Sequence, residues 1–88
     1  MPLLSHFYGI LITIYTEEGG KHHKPHCHAR YAEFEAVYDL EGNCIKGKLP
    51  SKQHKYVVAW AALYEDSLNA AWTAWQKYGE VLKIEGLR

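Results

Sequence analysis

The residues most able to do chemistry cluster early in the chain. Four of the six histidines (His22, His23, His26 and His28) fall within seven positions, and Arg30 follows closely. Imidazole titrates near neutrality and can give or take a proton. The segments His26–Tyr31 and Phe34–Asp39 read as two strands joined by a two-residue turn at Ala32-Glu33. That hairpin sets His26 opposite Asp39, Cys27 opposite Tyr38, His28 opposite Val37, Ala29 opposite Ala36, Arg30 opposite Glu35 and Tyr31 opposite Phe34. Alternation then gathers His26, His28, Arg30, Glu35 and Asp39 on one face, with Lys46 and Lys48 joining from the next strand. The other face carries Cys27, Ala29, Tyr31, Phe34, Ala36 and Tyr38, with Ile45 and Leu49 added. A slip of one residue would bury the charges, so the register is well specified.

The polar face holds a set of groups sufficient for metal-independent RNA cleavage. His26 or His28 would act as general base or acid, and Glu35 and Asp39 would orient them. Arg30 and Lys48 would clamp phosphate. Lys24, Arg30, Lys46 and Lys48 form the expected nucleic-acid-binding set, because the stretch from Lys21 to Arg30 has cations and histidines but no acid. The competing reading is a solvated face with cross-strand pairs Arg30–Glu35 and His26–Asp39, each contributing about 0.2–1 kcal/mol. A second alternative is a metal site. His26 and His28 would share one ion with His22, and neutral imidazole suits zinc, nickel or copper. The His-His-x-x-His-Cys-His spacing matches no closed structural zinc pattern, so the leading reading has no cofactor. Gly-rich phosphate loops and nucleophile triads are absent from the sequence.

The elements that must position these groups divide the chain in two. Phe7–Tyr15 reads as one strand, with Tyr8, Ile10, Ile12 and Ile14 on one face and Phe7, Leu11, Thr13 and Tyr15 on the other. Leu40–Asn43 is a turn, and Cys44–Leu49 is the next strand. From Ser51, a candidate N-cap, no glycine or proline interrupts the chain before Gly79. Val57, Ala61, Tyr64, Leu68, Ala71 and Trp75 form a helical stripe, with Trp60 and Trp72 beside it. Either one long helix or a pair bent near Glu65-Asp66-Ser67 satisfies that pattern. Val81–Ile84 reads as a short last strand. The expected architecture is α+β, within one domain over 1–88. It comprises a mostly antiparallel sheet of three to five strands (1–49), a helix or helix pair packed on one face (50–79), and a short strand or tail (80–88).

Composition bounds the rest. Eighty-eight residues, 48% hydrophobic and 23% charged with zero net charge, exclude multidomain enzymes, global disorder and a histone-like basic binder. No apolar run reaches transmembrane length, and no signal peptide is visible. Two cysteines, Cys27 and Cys44, point to free thiols and a cytoplasmic setting. Cys27 is expected as a small buried hydrophobe.

Phe7-Tyr8-Gly9-Ile10, Pro25-His26-Cys27-His28-Ala29, Tyr31-Ala32-Glu33-Phe34-Glu35-Ala36 and Gly47-Lys48-Leu49-Pro50 precede a helix carrying Trp60. In that order they resemble the small bacterial domain-of-unknown-function family 4160, whose pattern reads F-Y-G-I, P-H-F-H-A, Y-G-E-Y-E-A, G-x-L-P, then a helix with W-A. The resemblance covers nearly the whole chain. Cys27 departs from an aromatic, and Ala32 from a turn glycine. The resemblance implies this fold and a short bacterial or phage-borne protein similar to toxin–antitoxin components. It thereby implies RNA or a cognate small partner protein as partner, and weights His26 and His28. The alternative function is a noncatalytic interaction module, which would bind a partner or form a homodimer through the polar face or the Trp-rich helix.

Overall fold

The computed structural model describes residues 3–14 and 25–88. Five strands, β1 (Leu3–Phe7), β2 (Ile10–Thr13), β3 (His26–Tyr31), β4 (Phe34–Asp39) and β5 (Cys44–Lys48), precede α1 (Ser51–Leu63) and α2 (Glu65–Tyr78). The strands form one antiparallel sheet in sequence order, so β3 is central. The β3–β4 register pairs the same residues that the alternation predicts, from His26 with Asp39 to Tyr31 with Phe34. Ala32, at the first loop position, takes φ 52°, the sign a two-residue hairpin requires there.

The expected single strand over Phe7–Tyr15 is instead broken into β1, a turn at Tyr8-Gly9, and β2. Both turn residues have positive φ, at 49° and 79°. That combination matches the right-handed twist of the flanking strands. For Tyr8 it costs about 1–2 kcal/mol, because its Cβ crowds the backbone. Ile10, Ile12 and Ile14 are buried on one side as expected, while Leu11 is exposed. Tyr8 lies in the turn rather than on that face, Phe7 belongs to β1, and Tyr15 lies outside the described residues.

The core lies between one face of the sheet and the helices. Phe7, Ile12, Cys27, Ala29, Ala36 and Tyr38 meet Val57, Trp60, Ala61, Leu68 and Ala71. Trp60 is wholly buried; its ring lies 5.3 Å from Phe7, and its Nε1–H donates to the Glu85 carbonyl at 2.9 Å. The helix breaks at Tyr64 (φ −116°, ψ 29°), where Glu65 and Asp66 open α2 beside the positive end of its dipole. Ser51 is the first helical residue rather than the cap. Pro50 holds the cap position, and no side chain caps it.

Two further expectations change. Ile45 is not in the core: the β4–β5 register pairs Val37 with Lys46 and Tyr38 with Cys44, so Ile45 is the extra residue of a bulge and is 51% exposed. Gly47 takes φ 71°, and a Cβ there would stand 2.4 Å from the Glu35 carbonyl oxygen, so only glycine fits against β4. No strand forms over Val81–Ile84. The segment instead packs back on β1, where the Ile84 N–H donates to the Leu4 carbonyl at 2.7 Å. A side chain at Gly86 would strike Phe7 and the His6 carbonyl.

Candidate functional site

The face of the sheet away from the core is built in rows. One row runs His6, Leu11, Arg30, Glu35 and Lys48 across all five strands, and every member is exposed. The next runs Thr13, His28, Val37 and Lys46. The third pairs His26 with Asp39. Strand alternation thus brings His26, His28, Arg30, Glu35, Lys46 and Lys48 together as expected. Lys24 and His22 lie outside the described residues.

Depth differs sharply along β3. His28 is only 5% exposed, whereas Arg30 is exposed. His28 has Thr13 and Val37 as its cross-strand neighbours and stands 5.4 Å, ring to ring, from His26. Its Nδ1 lies 3.9 Å from Glu35 Oε1, which is ion-pair range but beyond a hydrogen bond. His26 is half-buried, and its ring lies 5.4 Å from that of Trp72 on α2. Trp72, which the sequence sets beside the helical stripe, packs against the core and also borders the site. No spacing signal marks the second contact, because a helical stripe does not say which tryptophan also meets a strand histidine.

Asp39 stands opposite His26, and its carboxylate also closes the β4–β5 turn. Oδ1 accepts from the Glu41 and Asn43 amides at 2.9 Å each, and Oδ2 accepts from Asn43 Nδ2 at 3.0 Å. Glu35 is the carboxylate whose contact with a site histidine is described. Among the described residues no ion pair joins Arg30 to Glu35 although they face each other, so the guanidinium is open to an anion. Among the same residues no group of three or more histidines, cysteines or acids has the arrangement of a metal site.

Beneath the opposite face, Cys27 and Tyr38 show what burial does to titratable groups. Burial first, and the Asp39 charge second, push the Cys27 thiol up to about 12. Burial, with the Cys44 and Cys27 thiols behind it, raises the Tyr38 phenol to about 12 as well. Tyr38 Oη is 2.8 Å from His54 Nδ1 on α1, a buried link that sequence reasoning did not find. Cys27 is thus the inert buried thiol its position predicts.

Among the described residues no helix is long and apolar enough to cross a membrane. No curated protein and no solved structure matches the chain. The profile of the family described as Domain of unknown function (DUF4160) matches residues 9–73. The match runs from the Gly9 turn through the polar face of β2 to β5 into α2, most of the chain. It includes the Pro25–Ala29 and Tyr31–Ala36 segments whose pairing builds the site, and this chain therefore belongs to the DUF4160 family.

Proposed function

We propose that the protein binds RNA on the polar face of the sheet and cleaves it by acid–base chemistry. The observation that carries this reading is the exposed Arg30–Glu35–Lys48 row, with Lys46 beside it and the His26/His28 pair next along β3. Arg30, Lys46 and Lys48 hold the phosphates. His26, the more accessible histidine, exchanges protons with the substrate. His28, within ion-pair range of Glu35, positions it. The step balances without a cofactor. A base takes the ribose 2′-hydroxyl proton, the oxygen attacks phosphorus, and an acid returns a proton to the departing 5′-oxygen. A cyclic phosphate and a 5′-hydroxyl result. The toxin–antitoxin-like role and a cognate small partner protein belong to the same proposal, as does a cytoplasmic setting.

The second reading is a noncatalytic interaction module, favoured by the burial of His28, which a purely structural histidine would share. The test uses untagged protein and labelled RNA, with and without EDTA. Cleavage that survives EDTA and vanishes in His26→Ala establishes the proposal. Cleavage lost in EDTA turns the site to metal, with His22 as third ligand and zinc or nickel as the ions to add back. RNA left intact and unbound makes the interaction module the function, with a homodimer or partner complex to be sought on the same face.

A further inference from the structure

We infer that the RNA ligand is single-stranded and that one unpaired base stacks on Tyr8, an inference that rests on the RNA-binding reading above. Tyr8 is an exposed aromatic in a place where the backbone disfavours it. It sits at φ 49° in the β1–β2 turn, a conformation that asparagine or glycine adopts more readily, and yet 48% of it faces solvent. Its ring is not loose. It lies 4.8 Å from the Tyr56 ring on α1 and 6.3 Å, edge-on, from Phe7. A ring held by neighbouring rings and still half exposed can serve as a stacking platform.

The surroundings fit a nucleotide. Gly9, beside Tyr8, is so close to Tyr31 that a Cβ there would stand 3.2 Å from the Tyr31 ring. Tyr31 follows Arg30 on β3, which places the Tyr8 turn at the same end of the sheet as the Arg30–Glu35–Lys48 row. On α1, Lys52 is one turn before Tyr56 on the same helix face and is exposed. Arg30, Lys48 and Lys52 outnumber the acids Glu33 and Glu35 at this end, so the rim favours an anion beside the exposed ring. The rows of the polar face hold no tyrosine, tryptophan or phenylalanine among the described residues; their rings are the imidazoles of His6, His26 and His28. Phosphate contacts and base contacts are therefore divided between the face and the rim. A duplex hides the faces of its bases within the stack, whereas a single strand can splay one out.

The test measures anisotropy of a labelled single-stranded RNA and of the same sequence as a duplex, against wild type, Tyr8→Asn, Tyr8→Phe and Arg30→Ala. Asparagine suits the positive φ and removes the ring, and thermal unfolding of each variant is recorded alongside. The expected result is tighter binding of the single strand, a roughly 5- to 100-fold loss in Tyr8→Asn, and near-full affinity in Tyr8→Phe. A strand carrying one abasic position walked along its length should reproduce the loss with wild type and add little with Tyr8→Asn. Equal affinity of Tyr8→Asn and wild type, with Arg30→Ala still weakened, overturns the stacking site and leaves RNA binding standing. No binding of either RNA by wild type overturns both.

Discussion

The two faces of β3 come from six consecutive residues and obey different rules. On the core side, Cys27 and Ala29 are buried because helices close over them. On the polar side depth varies within one strand: His28 is 5% exposed beside His26 and Glu35, Arg30 two residues on is exposed, and so are Lys46 and Lys48 on β5. Alternation tells which face a side chain takes; it does not tell how deep it sits, since His28 and Arg30 share a face of β3. A polar face can thus hold a sheltered histidine and open cations within a few residues, which is the gradient that phosphate binding beside proton transfer needs.

The largest expected effect tests the closed side. Trp60→Ala should cost about 3–5 kcal/mol, since it empties the space under Phe7 and cuts the bond to Glu85. A urea midpoint within experimental error of wild type would mean that the helices do not close this face. Gly47→Ala comes next, at about 2–4 kcal/mol, combining a disfavoured φ with a clash against β4. Hydrogen exchange should show β5 losing protection first, and unaltered protection would show that the open edge of the polar face tolerates a side chain.

Alkaline pH separates the faces by a different route. The Cys27 and Tyr38 groups have folded-state pKa values raised from 9 and 10 to about 12. In that window the unfolded chain has released protons that the folded chain still holds. Stability is therefore full below pH 9 and falls as pH rises toward 12, by at most about 1.4 kcal/mol per pH unit for each group. Cys27→Ala should flatten the lower part of that slope, and an unchanged slope would remove the thiol from the account. The smallest effect belongs to the open side. Arg30→Ala should change stability by no more than about 0.5 kcal/mol while lowering the salt dependence of RNA binding by about one contact. A large loss of stability would make Arg30 structural.

The β3–β4 pairing was legible because polar and apolar residues alternate strictly along β3 and, Val37 aside, along β4, and the loop between them is two residues long. The helical half was legible from the stripe, but one helix or two was not, because the break at Tyr64 leaves the apolar stripe unbroken. β1 was not, because Phe7 to Ile14 is apolar on both faces, so no break in alternation marks the Tyr8-Gly9 turn. Ile45 was misplaced because a bulge leaves no mark in a hydrophobic pattern. The site residues were readable as a face, but alternation does not separate His28 from Arg30 in depth, because both lie on the same side of β3. The approach of Trp72 to His26 depends on where α2 begins, which a single-residue break at Tyr64 decides.

The contact between Ile84 and Leu4 orders events during synthesis. Leu4 of β1 is made 80 residues before Ile84, the residue that bonds it. Until the Ile84 segment emerges the nascent sheet carries an uncovered margin, the kind of surface that recruits another strand. Aggregation during expression should therefore be governed by how quickly that segment docks, and a translational pause before residue 84 would prolong the hazard without altering the finished protein.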